Sequence, residues 1–143
     1  MPFAAVALSS VIVAAGLTTL RGDGPAAGAS KLPPPAPGRM DFARDIKPIL
    51  DRSCVRCHNS APPRPNKQFD AGGLRLDGRE AALKGGESGV VIVPGKSERS
   101  RLIHVVAGFD PAVPMPPREK DRLSKEDIGK LRAWIDQGAV WPK

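Results

Sequence analysis

Tyrosine is absent from this chain, and aromatic residues of all kinds make up only 4% of it. A core must therefore come from scattered Val, Leu, Ile and Ala, and with only about a hundred residues to draw on its stability would be marginal unless a large apolar group were added. Cysteine is nearly absent too. The two that occur, Cys54 and Cys57, are three positions apart, which excludes the spread pairs of a disulfide framework. Histidine is limited to His58 and His104, so a structural zinc site would have to be completed by His104 or carboxylates, without a second paired motif. No block of Lys or Arg occurs, and cations alternate with acids as in Arg118-Glu119-Lys120-Asp121, which argues against nucleic acid despite a net charge of +7. Removing residues 1–29 takes away Arg21 and Asp23 together and leaves that charge unchanged. A basic domain of this kind favours acidic partners or anionic surfaces.

What is present divides the chain in three. Phe3 to Leu20 is uncharged and largely apolar, followed by Arg21-Gly22-Asp23-Gly24 and a small-x-small sequence, Ala27-Gly28-Ala29. Residues 1–29 read as an export signal, with an uncleaved N-terminal membrane anchor as the alternative, and the expected location is periplasmic or otherwise exported. No cysteine stands after the run for lipid attachment. Residues 30–40 include Lys31-Leu32-Pro33-Pro34-Pro35-Ala36-Pro37-Gly38, which can form neither helix nor central strand and is expected to be a linker. Residues 41–143 form the domain.

Its elements are helical. Asp41 is a plausible N-cap for Phe42, Ile46, Ile49 and Leu50 at helical spacing, with Pro48 expected to kink that helix or start a second one. Asp77 is expected to cap a short helix ended by Gly85-Gly86. Val90-Val91-Ile92-Val93 is too short to found a sheet. Ser97 is expected to cap a helix reaching Ala107, and Asp110 to Pro117 an irregular loop. Ser124 and Asp127 predict a capping box for a last helix whose stripe is Ile128, Leu131, Trp134 and Ile135, ended by Gly138.

The chemistry is concentrated in Cys54-Val55-Arg56-Cys57-His58. At this spacing the two thiols can add across the two vinyl groups of one haem while the adjacent imidazole meets the iron. A thioredoxin-like redox motif would need a βαβ surround, and no parallel-sheet pattern is present. For the sixth iron position the candidates are Met115, His104 and Met40, with lysine behind them. Met115 is preferred because Val113-Pro114-Met115-Pro116-Pro117 holds it in an extended loop, a poor place for an ordinary core residue. On the helix that follows Ser97, Leu102 and Val106 define one face and His104 points away from it, toward solvent. Met40, beside the linker, is expected to be mobile.

These residues resemble the class I cytochromes c, and Asp41 to Trp141 is similar, more narrowly, to the planctomycete-type cytochrome c domain. The resemblance rests on Ile46-Lys47-Pro48-Ile49-Leu50, the Cys54 to His58 motif, Gly73-Leu74-Arg75-Leu76-Asp77, Val93-Pro94-Gly95 with Ser100 and Leu102, Met115-Pro116-Pro117, and Trp134-Ile135-Asp136-Gln137-Gly138-Ala139-Val140-Trp141-Pro142. It implies a small all-α fold wrapped around one covalent haem c, held by Cys54 and Cys57, with His58 and Met115 as proximal and distal iron ligands. It further implies first and last helices crossing near the haem, through Phe42 and Ile46 against Leu131 and Trp134, and a carbonyl from Pro62, Pro63 or Pro65 on the other nitrogen of His58. Domains of this kind are often attached to longer proteins, so a separate partner is expected here.

The function these readings predict is a carrier of single electrons between exported or membrane-bound redox partners, or the electron-carrying subunit of a membrane-associated complex. The alternatives are a haem enzyme or gas sensor with an open iron position, for which no distal His or Arg pair is evident, and an interaction module in which haem is structural. No catalytic residue and no nucleic-acid partner are expected.

Overall fold

Among the described residues, the longest helix is also the one most completely specified by its own ends. In the computed structural model, which describes residue 1 and residues 31–61, 71–110 and 114–142, helix α4 will be the name for Lys125–Asp136, with α1 at Lys47–Ser53, α2 at Arg79–Lys84 and α3 at Arg101–Val106. Ser124 Oγ accepts from the Asp127 N–H at 3.0 Å while the Asp127 carboxylate accepts from the Ser124 N–H at 3.3 Å, the expected reciprocal cap. At the other end the N–H groups of Gly138 and Ala139 close on the carbonyls of Ile135 and Trp134, both at 2.9 Å, in a Schellman arrangement. The predicted stripe Ile128, Leu131, Trp134 and Ile135 is buried. Gly129, Arg132 and Ala133 are buried as well, so α4 is covered on more than its apolar face.

The first helical turns open as expected at Asp41, whose carboxylate accepts from the Arg44 N–H at 2.8 Å. The first turns, Phe42–Ile46, are π-helical and end with the Lys47 N–H on Phe42 O. Pro48 then falls in the first turn of α1, where its missing N–H leaves no bond unmade, so of the two expectations for it the new helix is the one realised. Phe42 packs on Trp134 with ring centroids 6.0 Å apart, and Trp141 lies 4.8 Å from both. The expected crossing of first and last helices is thus present.

Two caps differ from expectation. Asp77 does not cap α2, which starts from Gly78; its carboxylate instead accepts from the Ser60 N–H at 2.6 Å and the Ser60 hydroxyl at 3.1 Å. Ser97 does not open a continuous helix to Ala107. A 3₁₀ turn, Ser97–Arg99, breaks at Ser100 before α3 begins. Both serines use their polar atoms elsewhere. The Ser97 N–H and hydroxyl donate to the Asp136 carboxylate at 2.7 and 2.9 Å, and the Ser100 hydroxyl accepts from the Val93 N–H at 2.9 Å and donates to Lys96 O at 3.0 Å. Such bonds offer the backbone an alternative to helix. Val91 and Ile92 are buried in an extended segment, with Val91 O accepting from the Leu102 N–H at 3.0 Å. Among the described residues there is no strand, only an isolated bridge between Gly86 and Gly89.

The proline-rich segment has neither helix nor strand, as expected, yet it is docked. Leu32 is only 8% exposed and joins the core. The Ala36 N–H donates to Gly129 O at 2.9 Å, Arg132 Nη1 donates to Pro33 O, and the Gln137 amide donates to Gly38 O and accepts from the Met40 N–H, both at 2.9 Å. The segment is a strap across α4, and Met40, expected to be mobile, packs against the core edge. Arg132, 4% exposed, binds the strap while its charge meets Glu98 Oε1 at 3.0 Å and its Nε donates to Ser97 Oγ at 3.2 Å. The expected leader, residues 1–29, lies outside the described residues apart from Met1.

Gly129 lets the strap approach: a Cβ there would stand 2.8 Å from Pro34 O. Alanine improves intrinsic helix propensity by about 1 kcal/mol, but a backbone carbonyl yields less readily than a side-chain tip. Gly129→Ala is expected to lower stability by about 1–3 kcal/mol, read as an earlier urea midpoint at unchanged slope; a midpoint that rises instead would show that the strap is not held at this contact.

Candidate functional site

Helix α1 does not stop cleanly at Ser53. The N–H groups of Cys54 and Val55 both reach Leu50 O, at 2.8 and 2.9 Å, and those of Cys57 and His58 both reach Cys54 O, at 3.0 and 2.9 Å. These bonds wind five residues into consecutive tight turns. The result is that Cys54, Cys57 and His58 all line one cavity, of about 290 Å³, whose remaining wall is mostly apolar: Leu74, Leu76, Val91, Leu102, Val105, Val106, Met115, Pro116 and Pro117.

The two sulfurs are free thiols in this structure, and Cys54 is buried. Burial pushes the Cys54 thiol up to about 12, so at neutral pH it is an uncharged sulfur in an apolar wall. A zinc site would need the opposite, thiolates gathered with further ligands. Among the described residues no three His, Cys, Asp or Glu side chains gather into a metal-holding group.

His58 is set by a segment distant in sequence. Its Nδ1 lies 3.2 Å from Leu74 O, and its own carbonyl accepts from the Leu76 N–H at 2.9 Å. With Nδ1 as donor to that carbonyl, the lone pair lies on Nε2, the tautomer that can ligate a metal. The expectation of a carbonyl from Pro62, Pro63 or Pro65 falls on residues outside those described; the carbonyl found at Nδ1 is that of Leu74. The Ser60–Asp77 bonds tie the same two segments together just beyond. Burial acts to raise the Asp77 carboxyl, but its bonds from Ser60, together with its own N–H and the nearby Arg75 charge, outweigh this and hold it below its ordinary value.

Met115 is half-buried in the cavity wall, with Pro116 buried beside it. Of the sulfur and imidazole candidates named from sequence, the structure brings Met115 to His58's cavity and leaves the other two away. His104 is not in that wall, pointing away from the Leu102 and Val106 face as expected, but it is half-buried, with its Nε2 2.6 Å from Glu98 O; Leu102 and Val106 line the cavity. Met40 is not in the wall either, and lines a groove with Phe42, Trp134 and Gln137. The crossing of Phe42 and Trp134 likewise lies outside the cavity wall.

Two wall residues were not singled out from sequence. Arg101 is the cation among the lining residues, with its guanidinium 3.0 Å from an Asp110 carboxylate oxygen. Ser53, one residue before the motif, has a buried hydroxyl with no hydrogen-bond partner. Nothing local marks either one, since a serine and an arginine at helix ends are ordinary.

The chain's sequence gives the geometry a family. Residues 54–119 match the family described as Planctomycete cytochrome C. The chain carries a planctomycete-type cytochrome c domain. Comparison with curated proteins gives no match, and neither does comparison with solved structures. The matched stretch of the cytochrome c domain holds every cavity-lining residue but Ser53, whereas α1 and α4 lie outside it. The helical architecture, with no strand among the described residues, is compatible with an all-α cytochrome.

The carbonyl that meets His58 depends on a close approach at Gly86. A Cβ at Gly86 would stand 2.3 Å from Gly72 O and 2.8 Å from the Leu74 nitrogen, both backbone atoms. Gly86→Ala is expected to displace the 72–74 segment at a cost of about 1–3 kcal/mol, seen as a lower denaturation midpoint together with altered His58 ring resonances. A lower midpoint with unchanged His58 resonances would separate the fold from the ligand's support.

Proposed function

We propose that this domain is a monohaem c-type cytochrome that carries single electrons between exported or membrane-bound redox partners. The observation that carries the reading is that Cys54, Cys57, His58 and Met115 line one apolar cavity. The residues suit the group. Two thiols at this spacing match two vinyl groups, and the apolar wall suits a porphyrin. Arg101 complements its carboxylates, and the unpartnered Ser53 hydroxyl is a buried polar group that an occupant can satisfy. When bound, the haem supplies a one-electron iron couple.

Each residue then has a role. Cys54 and Cys57 tether, His58 offers Nε2 with its ring oriented by Leu74 O, and Met115 offers a soft thioether that favours the reduced metal. With His58 and Met115 both committed, no position is left for a substrate, which favours electron transfer over catalysis. The net charge of +7 favours acidic redox partners, and covalent attachment suits an exported protein, consistent with the leader expected before the domain. Among the described residues no helix is long and apolar enough to cross a membrane.

The holoprotein, matured with a c-type haem attachment system, is expected to keep its haem in acidified acetone, and Cys54→Ala with Cys57→Ala to release it; release from the wild type would refute covalent binding. In the ferric wild type a weak near-red iron–sulfur band is expected, with no carbon monoxide uptake in the ferrous form. Met115→Ala is expected to remove the band, admit carbon monoxide and shift the midpoint potential downward. Ready carbon monoxide binding by the wild type would instead favour a haem enzyme or sensor.

A further inference from the structure

Met115 stands in two walls. On its other side, together with Val105 and Val106, it lines a second, open groove of about 420 Å³. Phe109, 42% exposed, lies in that groove, with Lys31, Arg122 and Lys125 around it. None of these three cations pairs with a carboxylate among the described residues. The groove's own acid, Asp110, is engaged by Arg101 at 3.0 Å. The turn carrying the thiols is different. There Arg52 meets Asp127 at 3.0 Å, Arg118 meets Asp121 at 2.8 Å, and Arg56 lies 4.0 Å from the same Asp121, so three cations share two acids at that edge. Among the described residues, more uncompensated positive charge therefore gathers at the groove than at the thiol edge, beside a half-exposed aromatic ring. That pairing is the composition of a protein contact surface.

We propose that this groove is the docking surface for an acidic redox protein, which sits behind Met115 and is separated from the haem cavity by Met115, Val105 and Val106. The proposal rests on the electron-carrier reading and adds to it the face the partner uses. Charge selects the occupant: a second copy of this chain, itself at +7, is repelled, whereas an acidic surface is drawn to the three cations.

The test uses the holoprotein and an acidic blue copper protein, its copper replaced by cadmium so that binding is read without electron exchange. Amide shifts on titration are expected at Lys31, Phe109, Arg122 and Lys125, and to vanish at high salt. Arg122→Glu with Lys125→Glu is expected to weaken binding at low salt by about tenfold or more. Arg75→Glu with Arg79→Glu makes the same charge change away from the groove and is expected to cost less than about threefold. Equal losses in the two pairs would overturn the proposal in favour of net charge alone; shifts centred on Arg52 and Arg56 would move docking to the thiol edge, and dimerisation at the groove would give it to a second copy. Exchange with the copper-loaded partner separates the two readings. If the wild type binds at the groove but exchanges no electron, the carrier reading falls and the groove stands as an acidic-protein site. If the groove variant binds and exchanges as fast as the wild type, the groove falls and the carrier reading stands.

Discussion

The fold depends on the burial of α4. A twelve-residue helix with Ile128, Leu131, Trp134 and Ile135 on one side, and Gly129, Arg132 and Ala133 buried besides, has to be covered from several directions. Three segments supply the cover: Phe42–Ile46 through the aromatic contacts, the Ser97 to Val106 region through Asp136 and Arg132, and the proline-rich strap through Gly129 and Pro33. Proline suits the strap. A segment with few N–H groups can lie across a helix and leave few donors to satisfy, and this one bonds through the Ala36 N–H and the Gly38 carbonyl. Arg132 joins two of the three covers, and its charge is tolerable inside because Glu98, Ser97 and Pro33 accept from all three guanidinium nitrogens.

Helix α3 divides the interior between this post and the cavity. Ile103 is fully buried, while Leu102, Val105 and Val106 line the cavity, so one short helix presents one side to a packed core and another to the apolar space beside Cys54. The packed half has its partners within the chain. The cavity half faces, with its leucines and valines, a space that the described residues line but do not fill. A chain so poor in aromatic residues would ordinarily close such a space; here the paired thiols, His58 and Met115 are arranged around it. The apolar group that composition calls for and the family to which residues 54–119 belong point to the same place.

Local signals were legible and long-range ones were not. The capping box at Ser124 and the helix end at Gly138 each lie within a few neighbouring residues, and the structure realises them as the sequence predicts. Ser97 carries the same kind of capping signal but spends its polar atoms on Asp136, 39 positions away. Asp77 likewise turns back 17 positions to Ser60. The strap is the clearest case: composition correctly denies it helix and strand, but its docking depends on a bond between Arg132 and Pro33, 99 positions apart, which no local pattern encodes. Leu74 O, Arg101 and Ser53 were missed for the same reason, since their importance lies in which segments face them.

Burial of Cys54 also bears on the order in which the site is completed. The thiolate is the nucleophile, and burial, which raises the Cys54 thiol, leaves it scarce at neutral pH. In the open chain the desolvation that raises it is absent, and the same thiol is far more reactive. On the proposed reading, Cys54 would be the better nucleophile toward a haem vinyl group while the turn from Cys54 to His58 is still exposed, before the wall of Leu74, Leu102 and Val106 covers it. The energetics run in the same direction. Apolar side chains around the cavity gain burial only once something occupies it, whereas the core around α4 can form from its own residues. Covalent attachment thus fits a fold in which one half packs unaided and the other half is completed by what the motif holds.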